Sequence, residues 1–398
     1  TEILVRKVII PLVDSNTASK IKEIMNSELS NNEKLSKIQA IYEEYFNKLP
    51  ENEKEEFRKK LEEKAKEVEA EIQKELQKTI IHKISVKDNN IEYKARGEVP
   101  GQALNQFSMD EYKGNFRIAT TTGEVWSGNS LNHMYVLDDN MEIVGKLEDL
   151  AHGEKIYSAR FIGDRAYLVT FKKIDPLFVI DLSNSNNPKV LGKLKIPGYS
   201  DYLHPYDETH IIGIGKEAID AENPQSNFAW YQGIKISLFD VSDVENPKEI
   251  SKFNIGDRGT DSEALHEHKA FLFDKDKDLL VIPISLHEIN RGKYQGEIST
   301  NAYGDLTFEG AYVLSLNLQD GFKLKGRITH LSDEEIAKFK EQQYYYPSYN
   351  SNIRRSLYID NVLYTISQRE VKANNLDSLD EINVIKLSYQ QENYPIVY

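Results

Sequence analysis

Short runs of alternating apolar and polar residues cover most of the chain, and Gly, Pro, Asn and Asp separate one run from the next. Such alternation predicts β-strands with one buried face, and the turn residues between runs predict hairpins. Between Ile156 and Ile255 the hairpins come in pairs, and the motif Asp-x-Ser-x-x-x-Asn-Pro occurs at 181–188 and again at 240–247. A series of units with two hairpins each is typical of a β-propeller.

The repeated motif has the composition of a turn between two strands. Asp and Ser side chains hydrogen-bond turn backbone, and Pro is tolerated where the next strand begins. An apolar run precedes each copy, Leu177–Ile180 in the first and Ile236–Phe239 in the second. We therefore predict an all-β fold, a β-propeller of four-stranded antiparallel blades, with about six to eight blades or an incomplete ring.

One segment has a different periodicity. Between Thr17 and Lys78 glycine is absent, Lys and Glu dominate, and from Phe57 onward apolar residues recur every three or four positions. This spacing is typical of amphipathic helices. The predicted helices are Ser19–Ser27, Asn32–Asn47, Glu51–Thr79 and, after a Ser332–Glu335 capping-box pattern, Asp333–Gln342.

The apolar run Ile3–Leu12 precedes this helical segment and is rich in β-branched residues. We predict a strand there, because β-branched residues favour strands. The expected arrangement is a propeller formed by residues 1–12 and 79–398. A helical hairpin or small bundle, residues 13–78, is then inserted between strands of the first blade.

Connections of very different length join the predicted strands, which we call A to D outward within each blade. A–B and C–D turns are short, whereas B–C connections are long. In an antiparallel meander the B–C and D–A connections lie at one edge, so the long segments and the helical insertion should share one face. The long connections are Thr122–His133, Lys216–Gly233, His287–Gly310 and Gln368–Glu381.

Composition narrows the classes of function. The 398 residues are 39% hydrophobic, which is enough for a core, and the net charge of −14 argues against nucleic acid as a partner. The chain has no cysteine, so disulfides, thiol catalysis and Cys-based metal sites are excluded. No run is long and apolar enough for a membrane span. Abundant Lys and Glu are typical of heat-adapted proteins.

Residues 97–171 contain the segments GEVPG, LNQFSMDEY and FRIATTTGEVW, and residues 261–273 read DSEALHEHKAFLF. These segments resemble a prokaryotic family of secreted proteins with a C-terminal β-propeller domain distantly related to WD40 repeats. The resemblance implies a propeller and an extracellular or cell-surface location. It implies no established activity and no catalytic residues.

Members of that family have further blade-forming sequence ahead of the position where this chain starts. About five and a half blades are visible in the sequence. We therefore expect either a processed or truncated piece of a longer protein or a smaller ring closed by Ile3–Leu12.

Aromatic residues are frequent in the long connections. Exposed Trp and Tyr commonly anchor ligands on binding surfaces, and the competing interpretation is that they pack the loops onto the propeller. The candidate ligand-binding residues are Trp126, Trp230, Tyr231, Tyr294 and Tyr303; Phe228, Phe308 and Tyr344–Tyr346 belong to the same group.

Asp261, His266 and His268 are the one cluster that resembles a metal site. On a strand both histidines would point the same way, and with Asp261 they could bind zinc or another divalent ion. The competing interpretation is that they are hydrogen-bonded structural residues. Sequence signatures of nucleophilic catalysis and of phosphate-binding loops are absent.

These observations favour an exported, non-catalytic binding or scaffold module. Its partner would be a protein, a cell-surface polymer or a small ligand, and no cofactor is required. The alternative is a metal-dependent hydrolase or lyase at the channel mouth, and a third hypothesis is a structural component of the envelope.

Overall fold

The computed structural model describes residues 2–171, 175–220, 229–341 and 347–388. Helices occupy the first part of the chain and strands the remainder. The helices are α1 (Ser15–Met25), α2 (Asn31–Lys48), α3 (Glu51–Leu76) and α4 (Asp333–Glu341). None of these helices has the length and apolarity needed to cross a bilayer.

Capping residues set the helix starts; α2 and α4 begin within one residue of the prediction, whereas α1 begins at Ser15 rather than at the predicted Ser19. Asp14 accepts hydrogen bonds from the backbone N–H groups of Asn16 and Thr17 and so begins α1. Ser30 and Glu33 form a capping box at the start of α2. The predicted box of Ser332 and Glu335 is confirmed at the start of α4.

The predicted strand at Ile3–Leu12 is wrong. Residues Glu2–Leu4, Val5–Ile9 and Ile10–Leu12 form successive helical turns, the second of them a π-helix. Val5 is buried with Ile21, Met25 and Ile38 of α1 and α2, so packing on the helices outweighs the strand preference of β-branched residues. Among the described residues no strand precedes Lys78, and the segment 2–76 consists of successive helices joined by short breaks, which we call the helical arm.

Within the described residues, twenty-two strands follow the arm and form five four-stranded sheets and one two-stranded sheet. The hairpin is β1 (Lys78–Lys87) and β2 (Asn90–Pro100). Blade 1 is β3 (Met109–Tyr112), β4 (Asn115–Thr122), β5 (Leu131–Leu137) and β6 (Ile143–Leu150); blade 2 is β7 (Lys155–Ile162), β8 (Arg165–Phe171), β9 (Asp175–Asp181) and β10 (Lys189–Ile196). Blade 3 is β11 (Tyr199–Pro205), β12 (His210–Asp220), β13 (Ala229–Asp240) and β14 (Lys248–Ile255); blade 4 is β15 (Leu272–Asp274), β16 (Leu279–Glu288), β17 (Asp305–Asn317) and β18 (Gly321–Ile328); blade 5 is β19 (Arg355–Ile359), β20 (Val362–Ile366), β21 (Glu370–Asn375) and β22 (Glu381–Lys386).

Every blade is an antiparallel meander in which consecutive strands are neighbours, so the predicted propeller architecture is confirmed. The part of the chain that the structure describes forms five complete blades and one two-stranded hairpin, which matches the five and a half blades visible in the sequence. The predicted long connection Gln368–Glu381 is wrong, because β21 lies within it and pairs with both β20 and β22. The polar residues of β21 and its neighbouring turns concealed this strand.

The repeated motif forms the C–D turn of blades 2 and 3. The Asp181 side chain accepts a hydrogen bond from the Ser183 N–H at 2.9 Å, and Asp240 accepts one from Ser242 at 2.9 Å. The side chain thus replaces a turn hydrogen bond in each copy, as predicted.

Neighbouring blades meet through a repeated joint. Gly145 lies in the D strand of blade 1, and a Cβ atom there would be 1.9 Å from the carbonyl oxygen of Ser185 in the C–D turn of blade 2. Gly192 meets the C–D turn of blade 3 in the same way, with Val244 O at 2.2 Å. Only a residue without a side chain admits the turn this closely, so each joint fixes how one blade stacks on the next.

Residues within or just before the A strands of different blades meet at the centre of the propeller. The Phe107 ring lies 5.3 Å from Tyr202 and 5.0 Å from His268, and the Arg160 guanidinium lies 4.8 Å from its centroid. These four residues come from blades 1 to 4. The middle of the propeller is therefore filled by packed side chains at this level.

Candidate binding site on the loop face

The B–C and D–A connections lie on one side of the blades, which we call the loop face. The helical arm ends there. The Gly123 N–H donates to Oε1 of Gln77 at 2.7 Å, and Asn129 Nδ2 donates to Oε1 of Glu69 at 2.7 Å. These bonds join the arm to the connection that carries Trp126, whose side chain is 86% exposed. The arm and this long connection share one face, as predicted.

Arg258, in the connection between blades 3 and 4, lies at the centre of an aromatic cluster on this face. Its guanidinium is 4.5 Å from the ring centroid of Trp230 and 4.5 Å from that of Tyr303. Nη1 donates to the Tyr231 carbonyl at 3.3 Å, and Nη2 donates to the Tyr303 hydroxyl at 3.1 Å. Because the cation is held between two rings, all three side chains are ordered before any ligand arrives.

A second group of rings continues from this cluster toward blade 2. Tyr231 packs against Tyr199 with centroids 5.0 Å apart and against Phe171 at 5.8 Å. Its hydroxyl is 3.3 Å from that of Tyr157. This packing anchors the start of β13, and part of the Tyr231 ring stays exposed.

A polar cavity of about 260 Å³ opens beside the cluster, between blades 3 and 4. Gln232 spans it, because its Nε2 donates to the Thr300 carbonyl at 2.9 Å. Asp257 accepts from Arg291 Nη2 at 3.2 Å and from the Ile289 N–H at 2.7 Å. The lining residues include Glu217, Asn254, Ile219 and Ile298. Two carboxylates, amide groups and an arginine next to aliphatic walls suit a small polar group with several hydroxyl or amide functions.

The predicted ligand-binding residues divide into two groups. Trp230, Tyr231 and Tyr303 lie together around Arg258. Trp126 lies beside the helical arm, and Tyr294 lies at the end of the short helical turn Arg291–Lys293, 44% exposed. Phe308 packs on Tyr312, as the structural interpretation predicts. Phe228 and Tyr344–Tyr346 lie outside the described residues.

The structure does not bring Asp261, His266 and His268 together as metal ligands. The Asp261 carboxylate pairs with Lys216 Nζ at 3.0 Å. The two histidines are not on a strand, because they follow and begin the short 3₁₀ turns Glu263–Leu265 and His268–Ala270. His268 packs edge-on against Phe107. In the described ranges no group of three His, Cys, Asp or Glu residues is arranged to hold a metal ion.

Sequence patterns missed Arg258 and two buried acids. Burial raises the pKa of Asp201 to about 7, although Lys216 acts in the opposite direction. Burial also raises the pKa of Glu309 to about 7, and its carboxylate accepts from the Ser285 hydroxyl at 2.6 Å. Glu309 stands out as a lone acid next to the apolar run of β17, whereas Arg258 lies in a polar connection that has no periodic pattern.

Comparison with known proteins places this chain in a family. A sequence model described as a beta propeller domain matches residues 15–379. An uncharacterised protein of Methanocaldococcus jannaschii is 36% identical over 386 residues, which are 96% of this chain and 51% of that protein. An uncharacterised protein of Archaeoglobus fulgidus is 32% identical over 376 residues, 94% of this chain and 50% of the relative. The chain thus spans about half the length of these two relatives.

Two solved structures align with this chain at low TM-score and low sequence identity. The C-terminal WD40 domain of Sif2 aligns with a TM-score of 0.38 and 10% identity, covering 78% of this chain and 67% of that one. BamB from Moraxella catarrhalis aligns with a TM-score of 0.33 and 11% identity, covering 78% and 90%.

Proposed function

Because this chain belongs to the β-propeller domain family, we propose that it is a non-catalytic binding module whose ligand site lies on the loop face. The observation that carries this proposal is Arg258, held between Trp230 and Tyr303 beside a polar cavity. A rigid scaffold that holds aromatic rings and a cation in fixed positions loses little conformational entropy when a ligand binds.

The proposed partner is a macromolecule, either a protein or a cell-surface polymer. Exposed rings extend from Trp126 on blade 1 to Tyr303 on blade 4, and an extended ligand can contact such separate positions together. Aromatic faces stack on sugar rings and on peptide side chains, and the Glu217 and Asp257 carboxylates accept hydroxyl hydrogen bonds. One polar residue of the ligand would enter the cavity while the rest lies across the face.

We place this binding outside the cell, at the surface or free of it. The support is the resemblance of residues 97–171 and 261–273 to exported proteins. Protease treatment of intact Methanocaldococcus jannaschii cells tests the location through the relative. Degradation of the relative before lysis is expected, and full protection until lysis would contradict it.

Binding to envelope material tests the proposed site. The purified protein is immobilised and exposed to a cell-envelope extract of Methanocaldococcus jannaschii, and bound protein and carbohydrate are each quantified. The double variant Trp230→Ala, Arg258→Ala should retain less than about a tenth of the binding, because it removes the central anchors. Leu318→Ala, exposed in a C–D turn on the opposite side, is the matched control. Equal binding by the double variant would contradict the site.

Asp261, His266 and His268 give no support to the alternative of a metal-dependent hydrolase or lyase. Lys216 forms an ion pair with the Asp261 carboxylate, and the His268 ring packs against Phe107 at the centre of the propeller. The proposed binding accordingly requires no divalent ion. Stoichiometric zinc or manganese in the purified protein, lost in a His266→Ala, His268→Ala variant, would contradict this.

A further inference from the structure

The hairpin at one end of the series of blades has the shape of half a blade. β1 pairs with β2 alone, whereas the C strands of the five blades pair on both edges. Gly97 in β2 meets the Met141 carbonyl of the blade 1 C–D turn, with a built Cβ atom 2.6 Å away. This is the joint formed by D strands elsewhere. The hairpin therefore occupies the C and D positions, and positions A and B beside β1 hold no strand among the described residues.

The free edge of β1 leaves backbone groups unpaired along a strand of ten residues. Every second N–H and C=O of an antiparallel strand points away from its single partner. Such an edge readily accepts a further strand, and proteins generally pair or cover it.

The hairpin face that points away from blade 1 is exposed, and its half near the β1–β2 turn is apolar. Ile84 is opposite Tyr93, and Val86 is opposite Ile91. Ile84 is 55% exposed, and both Val86 and Ile91 are 73% exposed. The opposite face of the hairpin is packed on blade 1, where Ile81 and Ala95 contact a core that includes Val99, Ile118 and Tyr135.

Blade 5, at the other end of the series, has a matching face. Its side toward blade 4 is buried, as Leu363 and Thr365 show. On its outward side Leu357 is opposite Tyr364 and Ile359 is opposite Val362. Leu357, Ile359 and Ile385 are exposed. An apolar face of this kind is the one that each complete blade buries against the next.

We propose that in a longer form of this protein, as in the two relatives, these two faces receive β-strands from sequence outside the matched region. The first two of these strands pair with the free edge of β1 and complete its blade. The further strands then occupy the space between this completed blade and blade 5. They should carry near-continuous apolar runs, as β16 does, because they are contacted on both faces by apolar residues.

A second copy of this chain fits the gap poorly. All strands outside the hairpin, among those that the structure describes, belong to complete four-stranded sheets. Without breaking a blade, a copy could offer this edge only its own β1 and β2. The two relatives, by contrast, are about twice as long as the matched region and have chain to spare.

Hydrogen exchange tests this inference on two intact proteins, the 398-residue chain and the full-length Methanocaldococcus jannaschii relative. In the shorter protein the outward amides of β1 should exchange at least about 100-fold faster than amides of β13, which has a partner on each edge. In the relative the aligned amides should exchange as slowly as those of β13. Fast exchange there, or slow exchange in the shorter chain, would overturn the proposal.

Light scattering separates the second-copy explanation. The 398-residue protein should remain a monomer at micromolar concentration and bind a hydrophobic dye. The variant Val86→Lys, Ile91→Lys should lose the share of the dye signal that the hairpin contributes and keep the share of blade 5, whereas Ile250→Lys, at an exposed position of blade 3, should keep both. A dimer that protects β1 and dissociates in the double variant would assign the face to a second copy and refute the proposed occupant.

Discussion

Blade 3 and the β1–β2 hairpin have similar strand sequences, but their apolar residues differ in solvent exposure. Ile234, Ile236 and Leu238 of β13 are completely buried, whereas Ile80, Ile84 and Val86 of β1 are more than half exposed. β13 has a strand on each edge and a blade on each face. β1 has one partner strand and one neighbouring blade. The alternation of apolar and polar residues therefore shows which side chains can be buried. The number of partner strands and neighbouring blades decides whether they are.

Truncation of one isoleucine in each region gives the largest expected difference. Ile236→Ala should lower the free energy of unfolding by about 2–5 kcal/mol, because it leaves a cavity in the core. Ile84→Ala should lower it by less than about 1 kcal/mol, because the side chain is largely hydrated already. Chemical denaturation of both variants measures the contrast. Equal costs would show that the hairpin face is covered in solution.

Asp201 in blade 3 should make the folded protein less stable as the pH rises. Burial raises its pKa to about 7 from an ordinary value of 3.8, so the folded state favours the neutral acid. That contribution is complete below pH 3.8 and is lost as the pH rises toward 7. Asp201→Asn should therefore stabilise the protein by about 1–3 kcal/mol at pH 8 and leave it unchanged near pH 3.5. A variant that is no more stable at pH 8 would contradict the burial effect.

His133 should produce the opposite dependence. Its Nδ1 accepts the Asp149 N–H at 3.2 Å and its Nε2 donates to Thr122 Oγ1 at 2.8 Å, so the ring is neutral. Burial lowers its pKa from 6.5 to about 4, and stability present above pH 6.5 is lost as the pH falls toward 4. His133→Gln should reduce the acid sensitivity of unfolding by about 1–3 kcal/mol. His82→Gln, in the hairpin, is the control; an equal effect of both substitutions would count against burial as the cause.

Arg258 should contribute less to stability than the residues buried in the blades. Arg258→Lys removes the two planar contacts with Trp230 and Tyr303 and should cost about 1 kcal/mol. Faster hydrogen exchange in residues 289–304, with unchanged exchange in blade 1, would locate the loss. Global loosening would assign Arg258 to the core instead.

The smallest effect is expected from the ion pairs along α3. Glu56 and Lys60 lie 2.7 Å apart and are both well exposed. Glu56→Gln should therefore change Tm by no more than about 1 °C. A larger change that disappears in 1 M salt would reveal a network of charges along the arm.

The strand series and the helix ends could be predicted because local signals determine them. The Asp-x-Ser turns at 181 and 240 and the capping box at Ser30 and Glu33 act within a few residues. The failures lie where distant contacts decide. Packing on α1 and α2 turns Ile3–Leu12 into helix, and β21 exists because β20 and β22 flank it.

The candidate site was predictable in part. The rings of Trp230, Tyr231 and Tyr303 were visible as aromatic residues in long connections, but the cation between two of them was not. Arg258 becomes significant only when two connections from different blades approach each other. The histidines were misread because the sequence between 261 and 270 gave no sign of the 3₁₀ turns.

The glycine joint between blades has a direction. Gly145 lies in the D strand of one blade, and the turn at Ser185 that packs on it belongs to the following blade. A segment that carries both such a glycine and such a turn can be duplicated or deleted as a whole without disturbing its neighbours. A segment that carries the glycine without the turn, or the turn without the glycine, cannot form both contacts with its neighbours. The number of blades in this family should therefore change by whole repeats.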